Sequence, residues 1–379
     1  MHQTYPGSNL SLPPHPYYPV VVSDAWDDSL GLLGFSPAGG CACKMPMSEL
    51  ASLLCDVDGY LERYQHSDRA RTDGTARDDS ALVKISPGLW LVATVDFGTP
   101  VSNDPKVWGA ISAAHALSDV YAMGGTPIFA LSILGWPAKL DRVVASQVAE
   151  GAIQSLAADD VLLVGGHSIR SNVPIFGLAV TGTVGAGQAF LVGQAKPGDA
   201  LVLTKPLGTG IITAARKACI ATEADVKAAE DVMQISNRLA STLARDVGVR
   251  AATDVSGNGL IGHLRVMLEA SQCSAVLDHN KIPILDSAVR LIEDHGIVPN
   301  SAEQNYFSLE DRVIWGTSGM AERLLLCDPQ TSGGLLMSVD KNALDALLSA
   351  CIEAKQAAVT IGYITEDKSG RGGVVELIK

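Results

Sequence analysis

Residues 128–164 read IFALSILGWPAKLDRVVASQVAEGAIQSLAADDVLLV. The run opens on an apolar stretch, Ile128 to Leu134, that Gly135 and Pro137 interrupt. Leu140 to Leu156 then spaces apolar side chains as one face of a helix does. Asp160 to Val164 returns to a short, apolar, β-prone run. Strand, amphipathic helix, strand is the unit of a layered α/β domain.

The pattern extends in both directions. Ser80 to Ile85 and Leu89 to Asp96 read as two strands turned at Pro87-Gly88. Val107, Trp108, Ile111, Leu117, Val120 and Tyr121 recur at helical spacing, and Gly124-Gly125 stops that helix. Met47 to Tyr60 also reads as helical, and Ile175 to Val184 as a strand. Residues 185–199 turn Gly-rich and end in Lys196-Pro197-Gly198-Asp199, which marks a domain boundary near residue 190. A second α/β region, 191–379, starts with a strand at Leu201 to Thr204. It continues with helices near 208–218 and 224–246, a strand into Asp254, a helix over 258–270 and a last strand at Val374 to Ile378. Before all this, residues 1–38 carry Pro6, Pro13, Pro14, Pro16 and Pro19 and predict an extended, mobile arm that ends at Gly39-Gly40.

A chain of 379 residues with 47% hydrophobic and 18% charged residues can bury a large core and is not disordered. No apolar run reaches the ~18 residues of a membrane span. The net charge of -13 repels phosphate backbones, so nucleic acid is not an expected partner. Seven cysteines, an odd number in a long chain, argue against a disulfide framework, and no signal peptide is apparent. The expected setting is the cytoplasm.

Several aspartates stand where they need explaining. Asp78-Asp79 precede a strand, Asp96 ends one, Asp254 follows one, and Asp119 interrupts the apolar helix stretch Leu117-Ser118-Asp119-Val120. A carboxylate in an apolar helix is costly unless something satisfies it, and a divalent cation would. Each alone also reads as a cap or turn residue. Cys41-Ala42-Cys43-Lys44 lies beyond the Gly-rich joint. It reads either as an ordinary loop or as a thiol whose pKa the neighbouring Lys44 lowers, and a zinc site lacks a second cysteine pair. Gly165-Gly166-His167-Ser168 follows a predicted strand, where backbone N–H groups can face a phosphate. There is no P-loop, and Lys205-Pro206-Leu207-Gly208-Thr209-Gly210 lacks its spacing.

In combination these motifs resemble the selenophosphate synthetase (selenide, water dikinase) family. The match is carried by Gly40-Cys41-Ala42-Cys43-Lys44, Arg77-Asp78-Asp79-Ser80-Ala81, Thr94-Val95-Asp96-Phe97 and Leu117-Ser118-Asp119-Val120. Gly165-Gly166-His167-Ser168 and Asp328-Pro329-Gln330-Thr331-Ser332-Gly333-Gly334 extend it, so that it runs from about residue 36 to the C-terminus. The resemblance implies a two-domain aminoimidazole-ribonucleotide-synthetase-like α/β fold, with N-terminal sheets joined into a barrel across a homodimer. It implies that ATP, hydrogen selenide and water become selenophosphate, AMP and phosphate. By position it makes Cys41 and Lys44 the catalytic pair, and Asp79, Asp96, Asp119 and Asp254 ligands of Mg²⁺. Ala76, Arg77, Asp78, Lys44, Asp96 and Asp119 fall on nucleotide contacts, and Gly166, His167 and Ser168 on a contact made from the partner subunit. In that light residues 39–190 are the ATP- and metal-binding domain with the catalytic loop. Three positions depart from the family pattern: Ala76 replaces a polar residue, His115 an asparagine, and Asn258 an aromatic or apolar residue. A kinase of the same superfamily, such as a thiamine-monophosphate kinase, would share the aspartates but not the Cys-x-Cys-Lys element. A non-catalytic paralogue would lack the thiol.

Overall fold

The structure is a computed structural model and describes residues 18–19, 28–36, 39–40, 43–44, 79–368, 370 and 372–379. The helix expected at Met47 to Tyr60 lies outside the described residues, as do Cys41, Ala76, Arg77 and Asp78.

Two sheets organise the chain. The first has five strands: β1 (Ala81–Ser86), β2 (Leu89–Gly98), β3 (Thr126–Trp136), β4 (Leu162–Arg170) and β5 (Ile175–Gly185), in spatial order β1-β2-β5-β3-β4. Only β3 and β4 pair in parallel, and α2 (Arg142–Ala158) connects them. That is the strand–helix–strand unit read from residues 128–164. One face of the sheet is covered by α1 (Pro105–Ala122), which buries Trp108, Ile111, Leu117, Val120 and Tyr121. Asp104 caps α1, its carboxylate accepting from Lys106 N at 2.8 Å, with Pro105 opening the first turn. The helices touch backbone to backbone: a Cβ on Gly109 would lie 1.9 Å from Val148 O, and one on Gly151 1.9 Å from Lys106 O.

The other face is open. Alternate residues of its strands point outward and are apolar: Val95 is 57% exposed, Phe97 50%, Val164 56% and Ile169 58%.

The second sheet has seven strands: β6 (Ala200–Leu203), β7 (Ala251–Asp254), β8 (Cys273–Asp278), β9 (Val313–Ile314), β10 (Leu335–Val339), β11 (Val359–Glu366) and β12 (Val375–Ile378). Their spatial order is β9-β12-β8-β11-β6-β10-β7. Every residue of β6, β7 and β10 is buried. Among the described residues no helix is long and apolar enough to cross a membrane.

Two expectations need correction. The helix foreseen over 224–246 is two helices, α3 (Glu223–Gln234) and α4 (Arg238–Asp246). The break at residues 235–237 lets the Asn237 amide donate to Ser118 Oγ at 2.8 Å and Gly333 O at 2.9 Å. Polar contacts distant in sequence thus override a continuous helical pattern. The stretch foreseen as an arm over residues 1–38 also contains regular structure, and Tyr18–Pro19 pairs in parallel with Ile297–Val298. Asp28–Phe35 is 3-10 helix kinked at Gly31, and Leu32, Leu33 and Phe35 are buried. Leu33 N donates to Asn103 Oδ1 at 3.0 Å, and Lys217 Nζ to Ser36 O at 2.6 Å. The apolar run in this segment has found a surface to cover.

Candidate functional site

The two sheets meet where the aspartates collect. Asp96 sits near the end of β2 and points to the helix-covered face, 6% exposed. Asp119 is on the last turn of α1, and Thr94 Oγ1 donates to its Oδ2 at 2.6 Å. Asp254 ends β7 and is 1% exposed. Ser118, the residue before Asp119, donates to Asp254 Oδ2 at 2.7 Å, which ties α1 to the seven-stranded sheet. Asp79, just before β1, accepts from Thr253 Oγ1 at 2.9 Å. The carboxylates of Asp79 and Asp254 and a ring nitrogen of His263 all lie within 4.8 Å of one another.

This gathering has an electrostatic cost, and it falls on Asp119. Burial first, then the negative charges of Asp254 and Asp96, push its carboxyl up to about 8. Asp96 behaves differently. Burial alone would raise it, but the imidazole of His115 and the ammonium of Lys44 hold it well below the usual carboxylate range. Lys44 Nζ lies 2.8 Å and His115 Nε2 2.9 Å from the same oxygen, Asp96 Oδ2. Close to these, Gly40 takes φ +53° and its N–H donates to Thr99 O at 3.2 Å. A Cβ there would come within 2.4 Å of Val101 Cγ1, so the approach of this backbone requires glycine. Cys43 Sγ donates to Gly40 O at 2.8 Å.

Carboxylates crowded enough to raise the pKa of Asp119 suit a small, hard cation, and Mg²⁺ takes oxygen ligands at such sites, often with nucleotide phosphates. His263 fits a supporting place better than a ligand's. Its Nε2 accepts from Ser256 N at 3.1 Å, which leaves the proton on Nδ1 facing Thr253 Oγ1. Burial drops its pKa to about 4, so it is neutral.

The structure thus brings together Lys44, Asp79, Asp96, Asp119 and Asp254. It does not bring Gly166, His167 and Ser168 to them. Those residues continue β4 at the far edge of the sheet and are exposed. This corrects the reading of a loop after the strand: β4 runs through both glycines. Asp96, Leu178, Ser132 and Gly166 pair in one row across the sheet, so Gly166 is three ladders, or about 14 Å, from Asp96. His167 lies one residue on and so belongs to the open, apolar face.

Sequence reasoning missed the residues that hold the site together. Thr94, Ser118, Asn237, Thr253 and His263 are ordinary polar residues in their local context, and only contacts distant in sequence give them work. The Lys205 segment also has another use. Lys205 is buried and donates to Ile235 O at 2.6 Å and Ser332 O at 2.7 Å. The N–H groups opening the helix after it are already taken. Gln330 Oε1 accepts from Gly208 and Thr209, and Asp328 Oδ2 from Gly210. This helix start is closed by the protein itself.

Comparison with known proteins fits this geometry. The family described as AIR synthase related protein, N-terminal domain, matches residues 77–184, and its C-terminal domain counterpart matches residues 196–375. A selenide, water dikinase of Shewanella sp. (strain MR-7) is 38% identical over 337 residues, covering 89% of this chain and 93% of the relative. The same enzyme of Shewanella baltica (strain OS185) is 38% identical over 339 residues, 89% of this chain and 94% of its own. Among solved structures, a thiamine-monophosphate kinase from Stenotrophomonas maltophilia K279a superposes with TM-score 0.61 at 22% identity, covering 85% of this chain and 95% of that one. The hydrogenase maturation protein HypE in complex with ATP superposes with TM-score 0.60 at 16% identity, over 79% and 84% of the two chains. These last two likenesses show the fold alone. The chain belongs to the AIR synthase related family and, within it, to the selenide, water dikinases.

Proposed function

We propose that this selenide, water dikinase converts ATP, hydrogen selenide and water into selenophosphate, AMP and phosphate, a selenium donor for selenocysteine and selenouridine formation. The observation that carries the reading is the convergence of Asp79, Asp96, Asp119 and Asp254, from elements of both sheets, on one place beside Lys44.

Asp79, Asp96, Asp119 and Asp254 would hold Mg²⁺, which cancels the charge that otherwise keeps a polyphosphate from an acidic site and stabilises charge developing on the transferred group. The protein's own groups do the rest. Asp96, itself held by His115, holds Lys44 at the edge of the carboxylates, where its ammonium meets the γ-phosphoryl oxygens. The Ser118 and Thr253 hydroxyls orient Asp254 and Asp79, and Thr94 orients Asp119. Hydroselenide forms a Se–P bond as the bond from the γ-phosphorus to the bridging oxygen breaks, and that electron pair leaves on ADP. Water then cleaves ADP to AMP and phosphate. Cys41 handles the selenium nucleophile; it lies outside the described residues, as do the nucleotide-contact residues Ala76, Arg77 and Asp78.

The active form is a homodimer in the cytoplasm, with residues 39–190 as the ATP- and metal-binding domain and 191–379 as the second. The open apolar face of the five-stranded sheet supports the dimer, since two such faces closing on each other would form a barrel. Gly166, His167 and Ser168, remote from the aspartates of their own chain, then serve the nucleotide site of the second subunit.

The test is nucleotide analysis under anaerobic conditions with and without selenide. The expected result is selenide-dependent formation of AMP and phosphate. ADP as the final product would replace this reading with that of a simple kinase. Cys41→Ser should abolish selenide-dependent AMP formation and leave nucleotide binding in place; full activity in that variant would remove the thiol from the mechanism.

A further inference from the structure

A cavity of about 20 Å³ lies under Gly40, between β2 and α1. Trp108, Ile111, Ser112 and His115 line it from α1, Asp96 from β2, and the Gly40 backbone borders it. The four helix positions are spaced three and four apart, so they form one stripe of α1. One further turn along the same face stands Asp119. The cavity therefore runs along the helix face that ends at the carboxylate cluster.

We propose that this cavity is the binding site for hydrogen selenide, the nucleophile of the reaction; the proposal rests on the functional reading above. Size is the first argument. The volume exceeds the roughly 10–15 Å³ needed for one water, so it admits a guest of one heavy atom such as hydroselenide. Lining is the second. The walls are chiefly apolar, with the Trp108 indole and the Phe176 ring edge-on to it, centroids 6.3 Å apart. Such walls suit a large, polarisable, weakly hydrated chalcogen. Position is the third. The polar end of the cavity is Asp96 and His115, and Asp96 carries Lys44 on the oxygen it shares with His115. If Lys44 holds the γ-phosphoryl group, a guest in the cavity waits beside the phosphorus it must reach. The ammonium also offsets the Asp96 carboxylate, so that an anionic guest is not repelled.

The test fills the cavity from Ser112, a lining residue with no part in the proposed chemistry whose hydroxyl donates only to Trp108 O at 2.9 Å. Ser112→Leu should raise the KM for selenide at least about tenfold, while the KM for ATP stays as in the wild type. Ser112→Ala, which leaves the space open, should keep the wild-type KM for selenide. Ser112→Val, smaller than leucine, should give an intermediate rise and stands in if the leucine variant does not fold. An unchanged selenide KM in folded Ser112→Leu or Ser112→Val would mean that the cavity holds only water, and would overturn the proposal. So would a parallel rise in the KM for ATP, because the space would then belong to the nucleotide. Wild-type enzyme whose AMP formation ignores selenide would overturn the functional reading itself, an outcome distinct from either.

Discussion

The two sheets solve the same packing problem in different ways. In the seven-stranded sheet, β6, β7 and β10 are buried along their whole length, and Ala122 at the end of α1 shares their core. In the five-stranded sheet only the side under α1 and α2 is covered, and Val95, Phe97, Val164 and Ile169 stand half or more exposed on the other. Asp254 ends a strand that is already finished, while Asp96 sits on a sheet that is complete on one side only. The site is assembled across this contrast: a buried sheet supplies Asp254 and the Thr253 hydroxyl, and a sheet with a free face supplies Asp96, with Asp119 on the helix that covers its other side.

The sharpest way to break the comparison is at Asp254. Asp254→Asn keeps the shape and removes the charge. If the buried sheet exists to hold that carboxylate, selenide-dependent AMP formation should fall about a thousandfold or more, corresponding to the several kcal/mol a metal-bound charge supplies. The melting temperature should hold or rise, since one like charge has left the cluster facing Asp119. Activity near the wild-type level would show that the metal is held elsewhere.

Much of this contrast was legible in the sequence, for reasons that can be named. Residues 128–164 announced strand, helix and strand because each element carries its own period. Asp119 announced itself as a charge inside an apolar helix. What stayed hidden depends on contacts distant in the chain. Asn237 breaks a helix to reach Ser118 and Gly333. Gly165-Gly166 reads as lying beyond the strand that ends at Val164, yet β4 runs through them: a Cβ on Gly166 would lie 2.1 Å from Ser132 Oγ of the neighbouring strand. The 3-10 segment at Asp28–Phe35, with Leu32, Leu33 and Phe35 buried, is hidden by the prolines before it. The open face of the first sheet was invisible as well, because an outward apolar residue in a strand reads the same as an inward one.

The free face gives the next test. Phe97→Glu places a charge on that surface, on the side away from Asp96. If two copies of the chain close there, the dimer should dissociate with its Kd weakened by several hundredfold, because a charge left unpaired in an apolar contact costs several kcal/mol. Sedimentation over a range of concentrations reads the change. The fold of the single chain should survive, as Phe97 contributes little to the core beneath it. A wild type that sediments as a monomer, or a variant that remains a dimer, would leave the apolar face without its proposed partner.

The smallest effect tests the buried side. His263 is neutral because burial drops its pKa to about 4 from a normal value of 6.5, despite the attraction of Asp254. Its Nε2 has already accepted the Ser256 N–H, so protonation would cost that bond as well as the desolvation. The unfolded chain binds this proton below pH 6.5 and the folded one does not until about pH 4. Stability from this group is therefore complete above pH 6.5 and drains away as the pH falls toward 4. By pH 5 the loss should be about 2 kcal/mol. His263→Gln can still accept from Ser256 but cannot titrate, so the difference in unfolding free energy between wild type and variant should narrow by that amount between pH 7 and pH 5. Denaturant titrations at the two pH values measure it. A difference that does not change with pH would mean that water reaches the ring, and that the second half of the molecule is less closed than its strands suggest.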